Sequence, residues 1–272
     1  MSRRASSMIV LFALALASSS PTFAAASGGT AGTLQVFAAA SLSDAFNDLA
    51  HRLEAQRPGL RVRISFAGSQ QLAAQLQQGA VADVFASADE RWMSTVQSSG
   101  LLAGDPSTFA HNRLVVIVPK PNPARINRLQ DLAKGGIKLV LAADAVPVGR
   151  YSRTMLRNLS RTEGFDPDFA TRVLRNVVSE EENVKSVVSK VQLGEADAGI
   201  VYRSDLSPAV ARYLRVFEVP EAANVIASYP IALLKTSPAS DAAKAFIDLV
   251  LSAEGQRVLE QRGLMPVAAS TP

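Results

Sequence analysis

Residues 34–53 read LQVFAAASLSDAFNDLAHRL, and this stretch decides the fold class. Its first six residues form a short apolar run, which is typical of a buried β-strand. The apolar residues that follow recur at spacings of four, three and four, at Leu42, Phe46, Leu49 and Leu53. This spacing puts them on one face of a helix. A buried strand that leads into an amphipathic helix is typical of α/β proteins.

The same alternation of strand-like and helix-like patterns continues along the chain. Further strand-like runs occur at 60–66, 81–86, 114–118, 137–142, 174–178 and 198–202. Alternating elements of this kind predict open, mainly parallel sheets with helices on both faces. The length of 272 residues suits two such lobes.

The N-terminus has the layout of a secretory signal peptide, which we place at residues 1–26. Arg3 and Arg4 precede an apolar run at 8–17, and small residues continue to Ala26. The run is too short for a membrane anchor, because a bilayer core needs about 20 apolar residues. We therefore expect a soluble protein that is exported to the periplasm after cleavage of this peptide.

The composition excludes several classes of function. The chain has no cysteine, which removes disulfides, thiolate metal sites and cysteine nucleophiles. Loss of the two leader arginines lowers the formal charge from +4 to +2, and no long Lys/Arg run suggests a nucleic-acid partner. The sequence also contains no glycine-rich phosphate loop, no Gly-x-Ser-x-Gly elbow and no cluster of metal ligands. We expect no catalytic residue, no cofactor and no direct protein ligand to a metal.

The junctions between strands and helices are the places where a ligand is expected. In open α/β sheets, ligands bind beyond the carboxyl ends of the strands, where helix N-termini expose N–H groups. Hydroxyl groups and free N–H groups at these junctions can hold an anion without covalent chemistry. Taken singly, a serine such as Ser41 or Ser69 is more often a helix cap than a ligand. The residues alone leave both interpretations open.

Seven short motifs follow one another along the chain: VFAAASL at 36–42, SFAGS at 65–69, ADVFASAD at 82–89, VPVGRY at 146–151, GIVYRSD at 199–205, SAEGQ at 252–256 and GLMP at 263–266. Together they resemble the periplasmic molybdate-binding proteins, the ModA family of type II solute-binding proteins. The resemblance covers essentially the whole mature chain, in order.

The resemblance implies a two-lobe periplasmic binding protein with its ligand in the cleft between the lobes. Residues 33–112 together with 225–272 would form the first lobe, and residues 113–224 the second. Each lobe is expected to be a mainly parallel sheet flanked by helices. The two chain crossings, near 111–114 and 224–229, would act as a hinge.

Residue by residue, the resemblance implies five ligands for a tetrahedral oxyanion. Ser41 and Ser69 would contribute hydroxyl groups, Val148 and Val184 backbone N–H groups, and Tyr202 a phenolic hydroxyl. Three neighbours are expected to support these ligands, namely Arg150, Gly68 and Gly149. Two positions depart from the family pattern: Gly68 replaces a small polar residue that many relatives carry, and Val148 replaces the usual alanine.

The resemblance also implies a ligand and a partner. The anion would be molybdate, or the nearly isosteric tungstate, and a monomeric protein would deliver it to the permease of an ABC importer. Two alternative functions remain open. A carrier of sulfate or another tetrahedral oxyanion would share the architecture. A secreted serine hydrolase would need an activated nucleophile, yet only two histidines are available as a base.

Four arginines recur on one face of the predicted helix that follows Gly149, at Arg150, Arg153, Arg157 and Arg161. Such a stripe is usually a solvated helix face. It could also steer anions toward the cleft or contact the importer. Arg150 lies nearest the expected site, so a role in bridging the lobes is an alternative for this residue.

Overall fold

The computed structural model describes residues 32–267, which fold around two β-sheets. The predicted signal peptide, residues 1–26, lies outside the described residues. Within residues 32–267, no helix has the length and apolar character needed to cross a membrane.

The elements follow one another in three segments of chain. The first contains β1 (Thr33–Ala39), α1 (Ser43–Gln56), β2 (Arg61–Ala67), α2 (Ser69–Gln77), β3 (Val84–Ala86), α3 (Glu90–Ser98) and β4 (Ser107–Asn112). The second contains β5 (Leu114–Pro119), β6 (Leu139–Ala142), α4 (Pro147–Leu159), α5 (Phe169–Arg175), β7 (Val177–Glu181), α6 (Val184–Gln192), β8 (Ala198–Tyr202), α7 (Pro208–Ala211) and β9 (Leu214–Glu218). The third contains β10 (Ala227–Leu233), α8 (Ser240–Leu251), α9 (Ala253–Gln261) and β11 (Met265–Pro266). The first and third segments build one sheet with its helices, which we call lobe 1, and the second builds lobe 2.

Both sheets are mixed. The strand order of lobe 1 is β11-β4-β10-β3-β1-β2, in which β1 pairs in parallel with β2 and β3. The order of lobe 2 is β7-β6-β8-β5-β9, in which β6 pairs in parallel with β7 and β8. The other pairs are antiparallel. The α/β class is confirmed, whereas the prediction that each sheet is mainly parallel is wrong.

The chain crossings explain the antiparallel pairs. Strand β4 leaves lobe 1 at Asn112, and β10 enters it again at Ala227, directly opposite Asn112 in the sheet. Strands that leave and enter a sheet at the same place must run in opposite directions. The same holds in lobe 2, where β5 pairs with β9 with Val115 opposite Glu218. Both crossings therefore lie side by side, and the side chain of Asn224 joins them. Its Oδ1 accepts from the N–H of Leu114 at 3.0 Å, and its Nδ2 donates to the carbonyl oxygen of Leu114 at 2.9 Å.

A row of aromatic rings runs through the core of lobe 1 toward lobe 2. Phe246 packs on Phe46 at 5.4 Å between ring centroids, and Phe46 packs on Phe109 at 5.6 Å. Phe109 then contacts Tyr229 at 6.2 Å, and Tyr229 contacts Tyr202 of lobe 2 at 5.7 Å. The row connects α8, on the outside of lobe 1, with the carboxyl end of β8, where the two lobes meet.

Candidate anion-binding site between the lobes

A small cavity lies between the lobes. Lobe 1 lines it with residues that end or follow β1, β2 and β3, namely Ala39, Ala40, Ser41, Ala67, Gly68, Ser69 and Ala88. Lobe 2 lines it with Val146, Pro147, Val148, Asn183, Val184 and Tyr202. All five predicted ligand residues are therefore brought together around one cavity. None of the lining residues carries a charge.

Ser41 lies in a short 3₁₀ turn, Ala40–Leu42, between β1 and α1. Its side chain is buried, and its Oγ lies 3.0 Å from Oη of Tyr229. Helix α1 begins without a side-chain cap. The interpretation of Ser41 as a helix cap is therefore wrong.

Ser69 is the first residue of α2, and the N-cap position belongs to Gly68. The buried Ser69 Oγ accepts a hydrogen bond from the backbone N–H of Ala88 at 3.0 Å. The residue thus ties the start of α2 to the segment after β3, and it too is not a cap. Gln71 stabilises the helix start instead, because its Oε1 accepts from the N–H of Gly68 at 3.1 Å.

Two helix N-termini of lobe 2 face the cavity with their backbone. The first N–H groups of a helix have no partner within the helix, and the helix dipole makes this end attractive to anions. In α4, Pro147 occupies the first position without an N–H group, so Val148 supplies the first donor. In α6, Asn183 caps the N–H of Ser186 at 3.1 Å and leaves the N–H of Val184 unused by the cap.

Tyr202 ends β8 and is 1% exposed. Its hydroxyl group is buried and has no hydrogen-bond partner among residues 32–267. Burial raises the pKa of this hydroxyl well above its ordinary value, so the group keeps its proton. Buried polar groups are nearly always hydrogen-bonded, so this free hydroxyl at a cavity wall is available to a ligand.

Gly68 and Gly149 allow close approach of backbone at the cavity. A Cβ atom on Gly68 would lie 2.5 Å from the carbonyl oxygen of Glu182 in the other lobe. A Cβ atom on Gly149 would overlap the carbonyl oxygen of Ala143, behind the cavity wall. A side chain at Gly68 would thus hold the lobes apart, and one at Gly149 would push α4 away from the end of β6.

Arg150 bridges the lobes. Its Nη2 lies 2.7 Å from Oδ2 of Asp89, a fully buried carboxylate at the start of α3. On the same side, the indole N–H of Trp92 donates to the carbonyl oxygen of Ala145 at 2.8 Å. Arg150 does not line the cavity. It acts on the relative position of the lobes rather than on the cavity wall.

The other three arginines of the predicted stripe differ in their exposure to solvent. Arg153 is largely buried and donates to the carbonyl oxygens of Ala142 and Gly149 at 3.0 and 2.9 Å. It thereby secures the start of α4 next to the cavity. Arg157 and Arg161 are exposed.

A second set of charges spans the lobes beside the cavity. Nζ of Lys185, on α6, lies 3.7 Å from Oδ2 of Asp44 in lobe 1 and 3.5 Å from Oδ1 of Asp205 in lobe 2. Asp205 is fully buried and accepts from the N–H of Tyr202 at 3.0 Å. Burial raises the pKa of Asp205 to about 6, although the charge of Lys185 acts to lower it.

Sequence reasoning missed the polar residues behind Ser41. The Tyr229 hydroxyl contacts Ser41, and Nδ2 of Asn112 lies 3.3 Å from it. The same Nδ2 atom donates to Oγ of Ser204 at 2.8 Å. Positions 41 and 229 are 188 residues apart in the sequence, and no local motif connects them. In the part of the chain that the structure describes, no three side chains of histidine, aspartate or glutamate are placed to hold a metal ion.

Comparison with known proteins identifies the family. Residues 34–265 match the family model described as bacterial extracellular solute-binding protein. The chain belongs to this family. It is 41% identical over 260 residues to the molybdate-binding protein ModA of Mycobacterium tuberculosis, with 95% of this chain and 94% of the relative covered. The relatives of this solute-binding protein carry solutes, and the hydrolase alternative has no support among them.

Solved structures show the same fold. The periplasmic molybdate-binding protein of Azotobacter vinelandii matches with a TM-score of 0.73 at 21% identity, covering 86% of this chain and 100% of that chain. The sulfate-binding protein SubI of M. tuberculosis matches with a TM-score of 0.76 at 18% identity, covering 86% and 87%. The two-lobe fold is therefore confirmed, and the fold by itself does not separate molybdate from sulfate.

Proposed function

We propose that this solute-binding protein captures molybdate, and tungstate equally well, in the cavity between its lobes. The observation that carries the proposal is the convergence of donors from both lobes on one uncharged cavity. Ser41 and Ser69 approach from lobe 1, whereas Val148, Val184 and Tyr202 approach from lobe 2. The free hydroxyl of Tyr202 is the strongest single sign that a ligand completes the arrangement.

Aimed dipoles suffice to hold such a dianion. An ion that is removed from water without hydrogen bonds is very costly. Each hydrogen bond to a charged acceptor contributes about 1.5–3 kcal/mol, so five donors offset much of the dehydration of the anion. The partial positive ends of α4 and α6 add to this stabilisation. Acidic side chains are absent from the cavity wall, so nothing there repels the anion.

The choice of molybdate over sulfate rests on the relative of 41% identity, which is named for molybdate. Sulfate has the same charge and shape but shorter bonds, so it contacts fewer donors at once in a cavity built for the larger anion. Tungstate is nearly the same size as molybdate, and hydrogen-bond donors do not separate the two.

We further infer that the protein works in the periplasm and passes its ligand to an ABC importer. The membership in an extracellular solute-binding family supports this place and role. Residues 33–112 with 225–272 and residues 113–224 would move as two bodies about the paired crossings near Leu114 and Asn224. N-terminal sequencing of the exported protein tests the cleavage after residue 26, and an uncleaved N-terminus would contradict it.

Thermal melting with four anions tests the proposed function. Molybdate, tungstate, sulfate and phosphate are added to the mature protein at equal concentration. A ligand at about 1,000 times its dissociation constant adds roughly 4 kcal/mol to the free energy of unfolding. We expect large and equal rises in Tm with molybdate and tungstate, a smaller rise with sulfate and none with phosphate. An equal or larger rise with sulfate would favour the sulfate carrier.

A further inference from the structure

We propose that Tyr229 is a positioning residue that turns the Ser41 hydroxyl into an obligate donor toward the cavity. This inference rests on the proposed function and deepens it, because it names a residue behind the cavity wall that sets the direction of one of the proposed donors. Tyr229 does not line the cavity. It acts through Ser41, whose Oγ lies 3.0 Å from its hydroxyl oxygen.

The direction of the hydrogen bonds begins at Asn112. Oδ1 of this side chain accepts from the backbone N–H of Arg113 at 3.0 Å. The opposite side of the amide must then be the NH₂ group, which faces Tyr229 at 3.3 Å and Ser204 at 2.8 Å. An NH₂ group can only donate. The Tyr229 oxygen therefore accepts a hydrogen bond from Asn112.

The hydrogen of Tyr229 must go to Ser41. Tyr229 is fully buried, and burial raises the pKa of its hydroxyl far above the ordinary value, so it keeps its proton. Among residues 32–267, the Ser41 oxygen is the acceptor in hydrogen-bond geometry with this hydroxyl, because Asn112 only donates and the neighbouring Tyr202 hydroxyl makes no hydrogen bond. With Tyr229 donating to it, Ser41 can direct its own hydrogen only elsewhere, and the cavity lies on that side.

Other oxygens of the cavity wall are occupied in the same way. Ser69 Oγ accepts from the N–H of Ala88, and Oδ1 of Asn183 accepts from the N–H of Ser186. Of the four side-chain oxygens in the wall, three thus already accept a hydrogen bond from the protein. Tyr202 Oη accepts none.

The consequence is selection by proton content. Molybdate, tungstate and sulfate carry no proton at neutral pH and offer acceptors on all sides. Phosphate carries at least one proton at neutral pH, and a hydroxyl group held as a donor points its own hydrogen toward the ligand instead of accepting that proton. A buried donor without an acceptor loses about a factor of five to 150 in binding. The oriented hydroxyl groups therefore favour fully ionised tetrahedral anions.

A double-mutant cycle of Tyr229→Phe and Ser41→Ala tests this role, with molybdate affinity measured by isothermal titration calorimetry. Tyr229→Phe keeps the ring that packs on Phe109 and Tyr202, and frees the Ser41 hydroxyl to turn away from the cavity. We expect about tenfold weaker molybdate binding, since the variant loses one hydrogen bond from Ser41 to the anion. In the Ser41→Ala background, the same change is expected to have no further effect.

Two further variants separate positioning from general destabilisation. Asn112→Ala removes the donor to Tyr229, and the loss is again expected to disappear in the Ser41→Ala background. Ser237→Ala is the matched control, because it removes a side-chain hydrogen bond to Asp83 at 2.6 Å, away from the cavity. We expect wild-type affinity from it. The melting temperature of the unliganded protein shows whether each variant folds.

The outcomes distinguish the inference from the proposed function. Failure of the wild-type protein to bind molybdate would contradict the function. Molybdate binding by the wild type together with additive effects of Tyr229→Phe and Ser41→Ala would overturn the positioning role alone. Unchanged affinity in Tyr229→Phe would overturn it as well. A loss that vanishes without the Ser41 hydroxyl supports it.

Discussion

Single hydroxyl groups supply the side-chain donors of the proposed site, and two serines allow a direct test. Ser41→Ala and Ser69→Ala each remove one hydrogen bond to a charged ligand, so we expect losses of about 1–3 kcal/mol, roughly 5- to 150-fold in affinity. Ser69→Ala also leaves the N–H of Ala88 without its acceptor, so its melting temperature should fall. Calorimetric titration with molybdate measures both losses. Wild-type affinity in the two variants would make both serines structural residues only.

Tyr202 offers the converse case, because its hydroxyl has no protein partner to lose. Tyr202→Phe is expected to weaken molybdate binding by about 1–3 kcal/mol while the unliganded protein melts at the wild-type temperature or higher. The donor comes from lobe 2 and faces Ser41 and Ser69 of lobe 1. The loss should therefore appear mainly as faster dissociation. Stopped-flow measurement of ligand release tests this, and a wild-type release rate would show that Tyr202 is a packing residue.

At the scale of elements, the helix N-termini of lobe 2 are expected to act through backbone alone. Val184 is the first residue of α6, where proline fits the helix but has no N–H group. The preceding residue, Asn183, is extended with φ −157° and ψ 168°, as a residue before proline prefers. Val184→Pro should thus remove one donor without ending the helix.

Val184→Ala is the matched control for this substitution, because it shortens the same buried side chain but keeps the N–H group. We expect Val184→Pro to bind molybdate about 5- to 150-fold more weakly than Val184→Ala. Circular dichroism checks that α6 is kept, and calorimetric titration compares the affinities. Equal affinities of the two variants would show that the Val184 N–H does not contact the anion.

The elements also show where sequence patterns succeed and fail. The run 198–202 is apolar throughout, and it forms the fully buried strand β8 with the predicted bounds. The predicted strand at 174–178 is wrong at its start, because the buried residues Phe169, Ala170 and Val173 form one face of helix α5, which continues to Arg175. Strand β10 contains Pro230 at an irregular pairing with β4, and proline weakens any strand pattern.

The candidate site was only partly accessible to sequence reasoning. The family resemblance predicted Ser41, Ser69 and Tyr202 as ligand residues, and all three line one cavity. A bridging role was an alternative for Arg150, but its partner Asp89 and the support from Tyr229 depend on contacts between distant segments of chain. Such contacts follow from how the two crossings align the lobes, and no periodicity or local motif encodes them.

At the scale of the whole molecule, buried charge makes stability depend on pH. The pKa of Asp205 is about 6 in the folded protein, against an ordinary value of 3.8. The folded state therefore holds this proton more tightly than the unfolded state. The contribution to stability is fully present below pH 4 and is lost as the pH rises through 6. Each pKa unit corresponds to about 1.4 kcal/mol, so the loss amounts to about 3 kcal/mol.

Asp205→Asn should remove this part of the pH dependence, because an amide keeps the acceptor for the Tyr202 N–H but does not titrate. Urea unfolding at pH 4.5 and pH 7 measures the difference in stability for each protein. Asp248→Asn, which changes an exposed residue of α8, is the control and should follow the wild type. An identical pH dependence in the wild type and Asp205→Asn would contradict the role of this carboxyl group.

The whole molecule is held closed around the cavity by contacts between lobes on two sides. Arg150 and Asp89 pair on one side, and Lys185 lies between Asp44 and Asp205 on the other. These pairs bring the donors of the two lobes to opposite walls of the same small cavity. Molybdate would then be bound by both lobes at once, and this is the central claim.

Anomalous diffraction at the molybdenum absorption edge, from crystals grown with molybdate, tests that claim most directly. We predict one strong molybdenum peak in the cavity, with oxygen atoms of the anion in hydrogen-bond distance of Ser41 Oγ, Ser69 Oγ and Tyr202 Oη. The backbone N–H groups of Val148 and Val184 should complete the coordination from lobe 2. An empty cavity at saturating molybdate, or a peak held by one lobe alone, would contradict the account.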